Sequence, residues 1–246
     1  MKINEMVTYH HDLQNDDRIL FLVRHAEKYI VQDFRQDIIQ AITPRGREAA
    51  KLLGIDLYNH MKQISYVKSS PVARCIQTAE EIALGVKCYD GIVVMQHLEA
   101  GGVYVKNQEL AESNFANSND CIGMFSKILL GQILPGMANV ELATSKLLQE
   151  LCNVLHNNNG SGICVTHDCI LVLFVGTILK CNFTQENWFD YLEGVAIKKT
   201  SDNYFLYWNE QCFDITSRCE QLLISSNTAQ NSDNTLLKRV SFKYNL

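Results

Sequence analysis

The sequence has no surplus of positive charge, no apolar run of membrane length and no paired-cysteine motif, and each absence removes a class of function. Its 22 Lys+Arg stand against 27 Asp+Glu, a formal net charge of −5. An acidic whole leaves no electrostatic footprint for nucleic acid or for an anionic membrane surface, so neither is expected as a partner. An anionic ligand would need positive charge gathered locally. The longest apolar run, Ile170–Leu179, is interrupted by Gly176 and Thr177 and is about half of what a membrane-spanning helix needs. It reads as a buried core helix. Met1–Asp17 carries His10, His11, Asp12, Asp16 and Asp17 and no apolar stretch, so it does not read as a secretory segment, and a cytoplasmic location is expected. The nine cysteines contain no CxxC pair and several lie in apolar stretches; they read as reduced thiols acting as small hydrophobes. No internal repeat at solenoid spacing is present.

What is present is an alternation of strand-like and helix-like segments in a chain of 246 residues, enough for one substantial core. Ile19–Val23 is a short apolar run of the kind that fills a strand covered on both faces, and it ends at Arg24-His25. Thr43-Pro44 reads as the N-cap and first position of a helix to about His60, with Ala49, Ala50, Leu53 and Leu57 along one face. Ile64–Val67 is the next strand, and Ser69-Ser70-Pro71 is expected to cap and start a second helix running to about Leu84. Ile92–Met95 is a third strand. Ala100–Gly136 is a polar excursion with weak periodicity, the candidate lid. Val140–His156 reads as a helix stopped by Asn157-Asn158-Asn159-Gly160, and Ile163–Val165 as a strand ending at Thr166-His167-Asp168. Val195–Ile197 and Tyr204–Trp208 form a closing hairpin. Trp188–Gly194, with Asp190, Tyr191 and Glu193, could line a substrate pocket, but it reads first as a hydrophobic element with polar edges and is left outside the site. The alternation predicts an α/β fold, a three-layer sandwich with a mostly parallel central sheet flanked by helices, with ligands at the carboxyl ends of the strands. The expected boundaries are an N-terminal extension at 1–17, one domain at 18–224 and a polar tail at 225–246.

Polar residues sit where three apolar strands stop: Arg24-His25, Ser69–Arg74 and His167-Asp168. Each alone has a structural explanation; His167 could be a hydrogen-bonded core residue, and Asp168 could cap the helix that follows it. Together they suit phosphoryl transfer. That reaction needs a nucleophile, several donors for the equatorial oxygens and an acid for the leaving oxygen, because most of the catalysis is positioning and electrostatic stabilisation. His25 and His167 can supply nucleophile and donor, and the guanidinium groups of Arg24 and Arg74 match phosphate oxygens. Arg74 also lies just inside a helix whose N-terminal partial charge adds to the same pocket.

Leu22-Val23-Arg24-His25-Ala26-Glu27 resembles the Arg-His-Gly (or Ala) signature of the phosphoglycerate-mutase-like family of the histidine phosphatase superfamily, and Ser69–Ala79 is similar to that family's second arginine block. Thr43-Pro44-Arg45-Gly46 resembles its helix-opening Thr-x-x-Gly, and Val165-Thr166-His167 its second histidine, so the resemblance spans roughly residues 18–210. It implies that His25 becomes phosphorylated, that Arg24, Arg74 and His167 bind the phosphoryl oxygens, and that a carboxyl group protonates the leaving group. It implies no metal and no cofactor. The acid is open between Glu99, after the third strand, and Asp168, directly after the second histidine. The partner expected is a phosphorylated small-molecule or protein substrate. Lys28-Tyr29-Ile30 follows Glu27 where mutases typically carry Ser and then Asn, which ranks phosphatase above mutase. A phosphate-binding scaffold without turnover is the alternative of a different class. A metal hydrolase using His25, Glu27, His167 and Asp168 has no HxxEH-like spacing behind it.

Overall fold

Ile19 to Val23 are completely buried in strand β1 (Arg18–Arg24), which is the reason the segment carries no polar residue: both of its faces are covered. Ile19, Phe21 and Val23 pack with Leu53, Leu57, Ala79 and Ile82 on one side of the sheet. Leu20 and Leu22 pack with Leu147, Leu151, Leu155 and the apolar residues 170–175 on the other. Two cores separated by one sheet make the three layers. The computed structural model describes residues 17–30, 39–61, 64–118, 120–220 and 238–240; the rest of the expected N-terminal extension and most of the tail lie outside them.

In chain order, β1 is followed by α1 (Pro44–Met61), β2 (Ile64–Ser69), α2 (Ala73–Val86) and β3 (Ile92–Val94). The middle of the chain holds α3 (Gln108–Ala116), α4 (Cys121–Leu129) and α5 (Val140–Asn157). Then come β4 (Ser161–Thr166), α6 (Asp168–Leu179), β5 (Gly194–Lys199), β6 (Tyr204–Trp208), β7 (Gln211–Asp214) and β8 (Lys238–Val240). The strand order is β7-β6-β5-β1-β4-β2-β3-β8. β1, β4, β2 and β3 run parallel, while β5, β6, β7 and β8 join through antiparallel pairings at the two edges. The expected parallel core and the β5–β6 hairpin are therefore present, and β7 is a strand the sequence reading did not contain.

The Thr43 hydroxyl accepts from the Gly46 amide at 2.9 Å, capping α1. The second helix differs from expectation. It starts at Ala73 rather than at Pro71, with Val72 as an N-cap that offers no side-chain bond; the Ser70 hydroxyl faces His167 at 3.0 Å and also accepts from the Val72 amide at 3.3 Å. α1 and α2 touch backbone to backbone: a Cβ on Gly54 would stand 2.4 Å from the Ile82 carbonyl oxygen, and one on Gly85 2.4 Å from that of Lys51. The Ala100–Gly136 excursion contains α3 and α4, capped by Asn107 and Asp120. Its periodicity is faint because each helix has only 9 residues and α3 buries Ala111 alone. α4 is better anchored, burying Met124, Phe125 and Ile128 in the core shared with α5 and α6. All nine cysteines are free thiols, and no described helix is long and apolar enough to cross a membrane.

Candidate active site

The carboxyl ends of β1, β4 and β2 lie side by side, and the backbone stitches the residues beyond them together. The His25 amide donates to the Thr166 carbonyl at 2.9 Å, and the Ser70 amide to the Val165 carbonyl at 2.9 Å. His25, Ser70 and His167 thereby emerge together at the carboxyl end of the central strands although they are distant in sequence. Gly46 lets the N-terminus of α1 press against this end, since a Cβ there would stand 2.4 Å from the Glu27 carbonyl oxygen.

Arg74 is the hub. It is buried, with Nε donating to His25 Nε2 at 3.0 Å and Nη2 lying 3.2 Å from His167 Nδ1. Guanidinium nitrogens only donate, so both imidazole nitrogens facing Arg74 carry lone pairs. The proton of His25 is then on Nδ1, which donates to the Ala26 carbonyl at 2.8 Å, and that of His167 is on Nε2, facing the Ser70 hydroxyl at 3.0 Å. The two rings meet edge to face with centroids 5.4 Å apart. Thr78 reinforces the hub: its hydroxyl donates to the Arg74 carbonyl at 2.7 Å and accepts from the Ala26 amide at 3.0 Å.

Arg24 points into the same space from the other side. Nη2 pairs with Asp168 Oδ2 at 2.9 Å and Nη1 donates to the Phe189 carbonyl at 2.7 Å. Its guanidinium lies over the Tyr191 ring, 4.4 Å from the centroid. Nε of Arg24 is buried and has no hydrogen-bond partner among the described residues. A buried donor left unpaired is costly.

Asp168 is the first residue of α6, with His167 as the N-cap. One carboxylate oxygen accepts from the Cys169 amide at 2.9 Å, while the other takes Arg24 and the Trp188 indole at 3.1 Å. It is therefore both a helix-start residue and a member of the cluster. Glu99 is placed differently. The carbonyl of the preceding Leu98 accepts from the Thr166 hydroxyl at 2.7 Å, which brings this backbone beside β4. The Glu99 backbone amide closes a turn onto Gln96 at 3.1 Å. No ion pair or side-chain hydrogen bond holds its carboxylate among the described residues.

Sequence reasoning missed three contributors. Ser70 had been assigned to capping a helix, yet it orients His167. Trp188 and Tyr191 had been left outside as part of a hydrophobic element, yet Trp188 holds Asp168 and the Tyr191 ring lies 5.7 Å from that of His25. The signal for Trp188 and Tyr191 is the pairing of aromatic and acidic residues over Trp188–Glu193, a pocket-wall composition that ranks second in the sequence reading. Among the described residues no group of three or more His, Cys, Asp or Glu side chains is arranged to hold a metal ion.

Electrostatics fixes the protonation states. Burial, then the nearby Arg74 charge, lowers the His25 pKa from 6.5 to about 3, and the same causes place His167 well below its ordinary value. Burial pushes the Asp168 pKa up, but Arg24 and the Trp188 bond outweigh it and the net shift is downward. The two neutral imidazoles have a consequence for stability. In the unfolded chain they take up protons below about pH 6.5, whereas in the fold they do not. Their contribution is complete above that pH and is lost as pH falls below 6.5, for His25 down to about 3. His25 should remove roughly 1–2 kcal/mol of stability between pH 7 and pH 5, His167 acts in the same direction, and Asp168 adds to the loss only at still lower pH. Urea unfolding at the two pH values should show this, and His167→Gln should be less acid-sensitive than the parent. Equal sensitivity would mean that His167 is protonated in the fold.

Residues 20–103 match the family model described as histidine phosphatase superfamily (branch 1). No curated protein matches the chain in sequence. Among solved structures, it is similar to mycobacterial hydrolase 1, with a TM-score of 0.55 at 12% identity over 78% of this chain and 98% of that one. It is similar to the mycobacterial glucosyl-3-phosphoglycerate phosphatase in complex with VO3, with a TM-score of 0.52 at 13% identity over 79% of this chain and 100% of that one. A phosphoglycerate mutase from Bacillus anthracis gives a TM-score of 0.51 at 13% identity over 84% of this chain and 97% of that one. At these identities the likeness is one of fold. The matched segment contains both arginine blocks, and β4 returns a second histidine against them; over residues 20–103 the chain is similar to the histidine phosphatase superfamily (branch 1).

Proposed function

We propose that the protein is a metal-independent phosphomonoesterase that works through a phosphohistidine at His25, acting on a small metabolite or a phosphorylated side chain. The observation that carries this reading is the arrangement around Arg74. One guanidinium holds the lone-pair nitrogens of two neutral imidazoles, and Arg24 offers a buried unpaired donor alongside. A dianionic phosphoryl group would satisfy all of these donors at once. His25 Nε2 carries the attacking lone pair, because Nδ1 holds its proton against the Ala26 carbonyl; the Arg74 N–H that Nε2 accepts in the resting site turns to a phosphoryl oxygen when the ester binds. As the N–P bond forms, the ester P–O bond breaks, and the leaving oxygen keeps the electron pair and takes a proton from Asp168. Water then attacks phosphorus and gives its proton to the Asp168 carboxylate. Inorganic phosphate leaves and His25 is restored.

Asp168 is preferred to Glu99 as the acid because it pairs with Arg24 at the phosphoryl site, whereas no side-chain bond ties the Glu99 carboxylate to that cluster among the described residues. Its resting pKa is depressed, but an incoming phosphoryl group places negative charge beside it and raises that pKa. The test is rapid-quench labelling with a phosphate-labelled ester in the presence of a chelator. The label should be acid-labile and base-stable. A Ser or Asp adduct, or activity that a chelator removes and a metal restores, would falsify the reading.

Arg74→Ala should keep the fold and lower kcat/KM by about 10²–10³, the scale for losing one preorganised donor to developing charge. Arg74→Lys should rescue little, because an ammonium cannot span both imidazoles as a planar fork does. Steady-state kinetics of the two variants checks this; near-parental values for either would remove Arg74 from the phosphoryl site.

A further inference from the structure

A cavity of about 860 Å³ opens beside Arg24 and Asp168, between the start of α4 and the segment that leads into β5. It therefore adjoins the proposed phosphoryl site on the side where the rest of a bound ester would extend. Its wall is sharply biased in charge. Asp120, Asp168, Glu186, Asp190 and Glu193 line it, against Arg24 as the single basic residue among the described lining. Arg24 and Asp168 offset each other at 2.9 Å.

The other four carboxylates have no Lys or Arg partner among the described residues. Three of them bond only backbone amides: Asp120 that of Gly123 at 2.8 Å, Asp190 that of Tyr191 at 2.7 Å, and Glu193 that of Asp190 at 2.9 Å. Such bonds orient the carboxylates and leave their charge in place. They are not gathered as metal ligands. Trp188 stands in the same wall, and indole is the best aromatic partner for an organic cation.

The site thus has a basic floor for one phosphoryl group and an acidic mouth for whatever the phosphate is attached to. A second anionic group on the substrate would meet like charge at this mouth, where Asp120, Glu186 and Asp190 are exposed, whereas a cation would be drawn in. We infer that the substrate is a phosphomonoester whose leaving group carries an ammonium or guanidinium group close to the ester oxygen. This rests on the phosphomonoesterase reading and narrows it to a charge class; phosphoglycerate-like and polyphosphorylated esters are disfavoured.

The test uses the full chain and three esters of similar size, O-phosphoethanolamine, propyl phosphate and phosphoglycolate, with p-nitrophenyl phosphate as the reference. At low ionic strength kcat/KM should fall in that order, with about tenfold or more between the first and the last, and the span should shrink as salt is raised. The triple variant Asp120→Asn, Glu186→Gln, Asp190→Asn should compress the span. Phosphoserine peptides flanked by Lys or by Glu form a second arm: a Lys-flanked peptide that outperforms phosphoethanolamine assigns the cation to a protein substrate, and the reverse assigns it to a small amino alcohol. Turnover of the reference with no preference, or with phosphoglycolate favoured, overturns this inference and leaves the phosphatase reading intact. Failure to hydrolyse any ester overturns the phosphatase reading. Affinities of the same three esters for the unreactive protein then decide the charge preference by themselves.

Discussion

His25→Ala is expected to lose about 10⁴–10⁶ of kcat on every phosphomonoester, the scale seen when a nucleophile is removed from a site whose members act as a unit. The size of the effect follows from how completely the structure commits this ring. Its Nδ1 proton is tied to the Ala26 carbonyl, its backbone amide to Thr166, and its free lone pair to Arg74. No other described imidazole could take over, because His167 turns its lone pair towards the same guanidinium from the far side and gives its proton to Ser70. The variant should still bind vanadate or inorganic phosphate, since Arg24, Arg74 and His167 remain. It should also give no acid-labile label in a rapid quench. Binding lost together with turnover would mean that His25 holds the pocket open rather than attacking. Turnover retained within about tenfold would move the nucleophile elsewhere.

The second large effect concerns the proton donor. Asp168→Asn should lower the hydrolysis of alkyl phosphates by about 10²–10⁴ and that of p-nitrophenyl phosphate far less, because general-acid help matters most for a poor leaving group. Asn keeps one oxygen for Arg24 and the Trp188 indole and gives up the bond from the Cys169 amide, so the pocket side of the arrangement is kept while the proton is not. The alkaline limb of the kcat–pH profile on alkyl esters should vanish in this variant alone. Its direction follows from the role: the protonated acid is depleted as pH rises, so kcat falls with increasing pH in the parent. Glu99→Gln should affect both substrates alike or hardly at all. A substrate-selective loss in Glu99→Gln with a normal Asp168→Asn would reverse the assignment.

The elements were legible in the sequence wherever burial demanded a pattern. The strand at Ile19–Val23 admits no polar residue, and the four-residue spacing of Leu147, Leu151 and Leu155 marks the face of α5 that meets the sheet. The same logic brought Arg24, His25, Arg74, His167 and Asp168 together, because each stands at a strand end or a helix start and the strand ends of a parallel sheet converge. It failed where a residue has more than one chemically adequate role. A serine before a helix is as suited to capping as to holding an imidazole, and only the position of His167 decides for Ser70. The wall from Trp188 to Glu193 was harder still, because it has no regular element to give it a period; it reaches the site through the Arg24–Phe189 and Trp188–Asp168 bonds. β7 was missed for a related reason: with both ends of Gln211–Asp214 exposed, the strand has no buried alternation to betray it.

The strand order also governs when this site can come into being. β4 lies between β1 and β2, so the two arginine blocks do not become neighbours by pairing their own strands. They meet only after Gly162 to Thr166 has slid in beside Leu20 to Arg24 and beside Tyr66 to Ser69. Those are contacts of high sequence separation, and closing such long loops is the slow part of building a parallel sheet. During synthesis on the ribosome, the first hundred residues would emerge carrying both signature motifs yet with facing strand edges unfilled. Competence should therefore arrive late and all at once, with the pairing of β4, and the newborn chain passes through an interval in which two unsatisfied edges are open to aggregation or to a chaperone.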